Sequence, residues 1–272
     1  MTWLRKHPLI SFFFLAYLIA YGSAFILMHM QPESPRSNWS IGWLLYVLSP
    51  TISAVIIAWI VGGSGEVRRL LSGFTRWKVG WFWYFAAAFP FVGSLAFGLI
   101  HWLLVKPVAE LAPGVTAFAV LGQVVFTLLS GPLSEEAGWR GFALPRLQSK
   151  FNPLVSSLIL GVFWCCWHIP LFLMPGSLQH GIPFAVYLVL VVTLAVYFTW
   201  LYNNTGGSLI ITVLAHFFFN LSGSLIGGTL KLLPPVVVYA VAGCLLVLAV
   251  FVIIVSGGVK NLPEKTAEEP AG

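Results

Sequence analysis

The sequence predicts an all-α, polytopic integral membrane bundle of about eight transmembrane helices. Three observations carry that prediction. The 272 residues are 59% hydrophobic and only 8% charged, the mean hydropathy is +0.93, and the apolar residues fall in long runs broken by short polar segments. Such a composition excludes a soluble globular domain. A helix needs about 20 apolar residues to cross a hydrocarbon core of roughly 30 Å. Stretches of that kind are read over residues 8 to 30, 41 to 62, 79 to 105, 114 to 137, 153 to 174, 182 to 202, 207 to 228 and 233 to 256.

The first stretch follows Arg5 and Lys6 and contains Gly22-Ser23-Ala24, features shared with a signal peptide. Its apolar run continues to Met30, too long for a signal core and right for a retained span. Orientation is read from Lys and Arg between spans. With the N-terminus cytoplasmic, one side receives Arg5, Lys6, Arg68, Arg69, Arg76, Lys78, Arg146, Lys150, Lys260 and Lys265, and the other receives Arg36, Lys106 and Lys231. Ten against three predicts both termini in the cytoplasm of what is expected to be a bacterial plasma membrane. The net charge of +6 is thereby used up in topology, and no soluble basic face remains for nucleic acid. Basic and apolar residues from Glu66 to Lys78 alternate at near-helical spacing, as expected of a segment lying against lipid headgroups. No linker divides the chain. Residues 1–256 are expected to form a single transmembrane helical domain with its catalytic core over about 114–228, and 257–272 to form a polar cytoplasmic disordered tail. Cys165, Cys166 and Cys244 fit neither a disulfide nor a zinc-knuckle spacing and read as small packing residues.

Against this background the adjacent Glu135 and Glu136 stand out. The chain has eight acidic residues and no aspartate, and the other six glutamates fall in predicted loops or the tail. A carboxylate in hydrocarbon is costly unless paired, protonated or wetted, so ionisable groups inside spans mark functional sites. In Ser134-Glu135-Glu136-Ala137-Gly138-Trp139-Arg140, Glu136 and Arg140 are spaced i, i+4 and can pair. Glu135 is turned about 100° away and has Trp139, read as apolar, at its own i+4 position. His168 closes an aromatic-rich run ahead of Pro170. His216 and Asn220 form another i, i+4 pair in the seventh span. His7, His29, His101 and His180 fall at or near span ends, where an imidazole is cheap.

Depth suggests convergence. Glu135 lies fifteen residues before Lys150 and His168 eighteen after it, so at 1.5 Å per residue both stand roughly 22 to 27 Å from the hairpin turn. His216 enters from the same side, and the cluster is expected in a cavity open to the cytoplasm. Two chemistries suit it. Glu135, helped by His168, can take a proton from water while His216 and Asn220 donate to the oxyanion of an amide under attack. Alternatively Glu135, His168 and His216 supply the three ligands of a catalytic zinc site, a divalent metal being a possible cofactor.

These residues resemble the three motifs of the CPBP intramembrane proteases, which include the CAAX prenyl endopeptidases and bacteriocin-processing or self-immunity proteins. The resemblance runs from Ser134 to Asn220 and implies Glu135 as water activator, Glu136 and Arg140 as a supporting pair, His168 as partner to Glu135, and His216 with Asn220 as oxyanion or metal-site residues. The family's second motif reads Phe-x-x-x-His, whereas Trp164 stands four before His168. The resemblance implies a peptide or protein substrate at the bilayer, either a prenylated CAAX-type or a bacteriocin-type peptide. A non-catalytic immunity or binding protein and a proton-coupled transporter are the competing readings; the repeats and paired broken helices of many transporters are not seen.

Overall fold

The computed structural model describes residues 2–30, 40–105, 115–175, 177, 179–229 and 234–255. Arg36, Lys106, Lys231, Lys260, Lys265 and the tail 257–272 lie outside them. Among the described residues every element is helical, and eight helices are long and apolar enough to cross a membrane. Each keeps its backbone hydrogen bonds within itself, as hydrocarbon requires. A short helix α1 (Thr2–Lys6) leads into α2 (Pro8–Met30), followed by α3 (Ile41–Leu71), α4 (Trp81–Val105) and α5 (Ala117–Leu129). Next come α6 (Pro132–Glu136), a π-helical segment (Ala137–Ala143) and α7 (Leu144–Gln148), then α8 (Pro153–Trp167), α9 (Ile169–Leu173) and α10 (Phe184–Asn204). The chain ends in α11 (Leu209–Leu221), a second π-helical segment (Ser222–Thr229) and α12 (Pro235–Val255).

Start signals are local. Ser40, Thr116, Asn152 and Ser208 accept from the backbone N–H three residues on, capping α3, α5, α8 and α11. The second expected span ends where expected, at Gly62. There α3 breaks, because Gly63 adopts φ 63°, ψ −151°, which a side chain would oppose. The helix resumes through Leu71 and closes in a 3-10 turn, Ser72–Thr75, so the basic segment is helical over about half its length. The fourth expected span is two pieces rather than one. It stops at Leu129, breaks at Ser130 and Gly131, and restarts at Pro132, whose fixed φ suits a first helical position.

One end of the bundle is tied by basic side chains. Glu66 Oε1 accepts from Arg69 and Arg146, Arg5 Nε donates to Ile60 O, and Arg76 Nη1 donates to Gly206 O. Gln148 and Asn203 exchange amide hydrogen bonds of 3.1 and 3.0 Å. Here the hairpin between α7 and α8 meets the turn between α10 and α11. Outward faces carry exposed Phe14, Trp59, Phe85, Phe118 and Phe251, the surface a bilayer would cover. Cys165 is buried, Cys166 is half-buried and Cys244 is exposed, and none is in a disulfide. The packing reading thus fits Cys165 and fails for Cys244.

Candidate active site

Two close crossings set the first motif in place. A Cβ on Gly138 would lie 2.6 Å from the backbone of Pro50, so glycine lets the π-helical segment touch α3. One turn earlier Thr51 Oγ1 donates to Ser134 O at 2.6 Å. Single π turns are rare and recur at functional sites, and this one follows directly on the glutamate pair at the end of α6 and carries Arg140.

Glu136 and Arg140 are fully buried and paired at 2.8 Å. Glu136 Oε1 also accepts from His216 Nδ1 at 2.9 Å. The guanidinium carbon lies 4.3 Å from the Trp164 ring centroid and 4.8 Å from that of Phe198, so two aromatic faces cover the cation.

Glu135 is held differently. Its Oε2 accepts from the indole N–H of Trp139 at 3.1 Å and of Trp164 at 2.8 Å. The expectation that Glu135 lacks an i+4 partner is therefore corrected: Trp139 is buried among apolar groups, but its ring nitrogen is a donor that needs an acceptor. With Oε2 occupied, Oε1 lies beside Gly131. A Cβ on Gly131 would stand 3.2 Å from Glu135 Oε1, 3.3 Å from Asn220 Nδ2 and 3.9 Å from His216 Nε2. A carboxylate oxygen, an amide N–H and an imidazole nitrogen thus converge around this glycine.

The histidines share a tautomer. His216 Nδ1 meets a carboxylate and His168 Nδ1 meets Trp164 O at 2.8 Å. Both partners only accept, so each Nδ1 carries the proton and a neutral ring leaves Nε2 with a lone pair. His168 ends α8, packed edge-on against Trp167 and Tyr187. Trp164, the departure from the family pattern, touches four members of the cluster: its N–H meets Glu135, its face meets Arg140, its carbonyl meets His168, and its ring stands 5.3 Å from that of His216.

Glu135, His168, His216 and Asn220 all line one cavity of about 560 Å³. From Glu135 its wall continues to Trp43, Gln123, Gln179, Tyr187 and Tyr239. Trp43 and Tyr187 sit within the first turn of α3 and α10, at the end of the bundle remote from Arg69, Arg76 and Arg146. Toward the basic end Trp139, Phe142, Leu144 and Leu209 fill the space, none more than 1% exposed. The expected opening toward the basic side is therefore overturned. Distance along a helix gives depth, but which end is plugged depends on side chains from several helices.

His7, His29 and His180 are exposed and His101 is half-buried, and none of the four lines the cavity. Among the described residues no three His, Cys, Asp or Glu side chains come together as a metal-binding group. The two indoles already occupy one oxygen of Glu135, and the expected ligand set does not fit as it stands.

Residues 116–222 match the family model described as type II CAAX prenyl endopeptidase Rce1-like. The chain is 30% identical over 134 residues to CAAX prenyl protease 2 of Methanococcus maripaludis, an alignment covering 45% of this chain. It spans about half of that curated relative's length, 48%. The matched segment contains Glu135, Glu136, Arg140, His168, His216 and Asn220, and over that segment the chain is similar to the CAAX prenyl endopeptidases.

Proposed function

We propose that the protein is an intramembrane endopeptidase that hydrolyses a peptide bond of a membrane-associated substrate with water activated by Glu135. The observation that carries this reading is that Glu135, His216 and Asn220 line one cavity of about 560 Å³, with Glu135 Oε1, Asn220 Nδ2 and His216 Nε2 gathered around Gly131. A water there donates one proton to Oε1 and presents its lone pair to a carbonyl carbon entering from the cavity. As the C–O bond forms, the carbonyl oxygen takes the negative charge and the Asn220 N–H stabilises it, an effect worth about 2.7–4 kcal/mol for a well-placed donor. The proton on Glu135 then passes to the leaving nitrogen as the C–N bond breaks.

His216, whose Nδ1 is held by Glu136, orients the water through Nε2. His168, on the same cavity wall, receives or returns the proton through Nε2. Glu136 and Arg140 hold His216 in place. The substrate is a prenylated CAAX-type or bacteriocin-type peptide, and the lipid bilayer is the other partner.

Purified protein would be offered farnesylated CAAX peptides and a library of bacterial membrane peptides, with Glu135→Gln, His168→Ala and His216→Ala beside the wild type. Cleavage abolished by Glu135→Gln is expected; cleavage that survives it refutes the mechanism. Cleavage of nothing favours the immunity or binding reading, and ion-coupled uptake in proteoliposomes favours transport. Chelator treatment with metal analysis separates a metal-dependent enzyme from a glutamate-dependent one.

A further inference from the structure

The cavity wall next to His168 carries a pair of side chains that the proposed reaction leaves unused. Gln179 and Tyr187 both line the cavity that holds Glu135, His168, His216 and Asn220. Tyr187 is buried in the first turn of α10, and its ring packs edge-on against His168 with centroids 5.3 Å apart. Gln179 opens a 3-10 turn, Gln179–Gly181, between α9 and α10. That turn is pinned from both sides. Ser177 Oγ accepts from the His180 backbone N–H at 3.1 Å and donates to Leu171 O, and His180 Nδ1 meets Phe172 O at 2.9 Å. The glutamine is thus presented to the cavity from a fixed backbone.

Hydrogen bonding within the pair is incomplete. Gln179 Nε2 donates to the Tyr187 oxygen at 3.2 Å, so the phenol accepts there and keeps its own O–H to donate. No acceptor for it stands among the described residues. Gln179 Oε1 is buried and likewise has no hydrogen-bond partner among the described residues. A buried amide oxygen left unsatisfied is destabilising, and each such atom in a folded protein calls for an explanation. Elsewhere on the same wall Gln123 Nε2 donates to Thr127 Oγ1 at 2.9 Å, and Thr127 lies 3.2 Å from Ser224. The Gln179 and Tyr187 pair instead offers an acceptor and a donor side by side. That is the complement of one residue of an extended chain, whose N–H and C=O point to the same side and need partners once the backbone leaves water.

Resting on the protease reading, we propose that Gln179 and Tyr187 form a subsite for the main chain of the peptide substrate, Gln179 Oε1 accepting from a substrate N–H and the Tyr187 hydroxyl donating to a substrate carbonyl. Contact between Tyr187 and His168 sets this subsite beside the reacting groups, so the residue it holds lies close to the scissile bond. Both bonds go to the backbone, and the pair orients the peptide without selecting its side chains. Neither residue enters the proton transfers.

The test reads binding and needs no turnover. The probes are two fluorescent peptides, one farnesylated at a CAAX cysteine and one unlipidated, each also made as a series in which a single backbone N–H at a time is replaced by an ester oxygen. Affinities are measured by anisotropy on the detergent-solubilised full chain carrying Glu135→Gln. With Gln179 present, an ester at one position is expected to weaken binding by about 3- to 12-fold, the range of a single hydrogen bond. Adding Gln179→Ala should shrink that penalty to less than about twofold. Tyr187→Phe, which keeps the ring on His168, should weaken the all-amide peptide by a similar factor, and unchanged affinity would remove the tyrosine from the subsite. An ester penalty equal with and without Gln179, no sensitive position at all, or no binding of either peptide overturns the proposal. Gln179→Met, of similar length but without the acceptor, takes the place of Gln179→Ala should that variant not fold. Peptides that bind with the expected pattern yet are left intact by the wild type would defeat the protease reading and leave the subsite standing.

Discussion

Trp164→Phe removes one N–H from the cluster and keeps a ring over Arg140. In the wild type Glu135 Oε2 accepts from Trp164 at 2.8 Å and Trp139 at 3.1 Å. The substitution leaves the longer bond alone to hold the carboxylate. A hydrogen bond to a charged group contributes about 1.5–3 kcal/mol. If half or more of that is realised only with Oε1 aimed at the water, kcat falls by about 3- to 150-fold. KM should stay within about twofold, because the ring that lines the cavity is retained. A double-mutant cycle with Glu135→Ala, which removes the acceptor, isolates the contact in thermal unfolding. Coupled neighbours show interaction energies of about 0.5–3 kcal/mol, and this pair belongs in the upper half of that range. Coupling below about 0.5 kcal/mol together with an unchanged kcat would refute the idea that the indole holds the carboxylate.

Two other substitutions probe neighbouring atoms. Glu136→Ala strands a fully buried Arg140, whose Nε and Nη2 have no hydrogen-bond partner among the described residues, and frees His216 Nδ1; a loss of about 3–5 kcal/mol is expected, read as a large fall in melting temperature and in yield. Glu135→Gln, similar in shape and still held by two indoles, should melt within a few degrees of wild type, and equal destabilisation by the two changes would contradict the division of roles. Gly131→Ala presses a methyl to 3.2 Å from Glu135 Oε1 and 3.3 Å from Asn220 Nδ2, so both groups must shift. Turnover should drop by about 100-fold or more, and activity within threefold of wild type would show that the placement of these two groups does not matter to the mechanism.

Much of the fold was legible because hydrocarbon permits so few solutions. Eight apolar stretches became eight spans, and Gly62 with Gly63 ended the second one on the sequence position expected. The Glu136 to Arg140 pair was legible for a similar reason: two opposite charges one turn apart in an apolar segment have few other partners. Trp139 was misread because composition classes tryptophan as apolar, whereas a buried indole N–H must find an acceptor and the nearest is one turn back. Trp164 was noticed as a departure from the family pattern, but its reach to Glu135 depends on how α8 crosses α6. The break at Gly131 had a local signal in Gly131-Pro132, a pair that favours interrupted helix, hidden inside a continuous hydrophobic run. The π-helical segment and the plugged basic end had none, since both depend on packing between helices distant in sequence.

The two adjacent carboxylates differ because helical geometry sends them to different neighbours. Glu136 turns into the protein and meets Arg140 and His216 through a single oxygen, so its charge is spent on fixing a cation and an imidazole. Glu135 turns toward α8 and the cavity, where indoles take one oxygen and leave the other beside Gly131. Neutral donors can hold a carboxylate in position without cancelling its charge, as an arginine at that place would do. On the proposed mechanism, a base that accepts a proton from water and releases it to a leaving nitrogen needs that residual basicity, and a pair of tryptophans supplies orientation while leaving it. Trp164, which stands where the resembling motif has phenylalanine, is then part of how this chain holds Glu135.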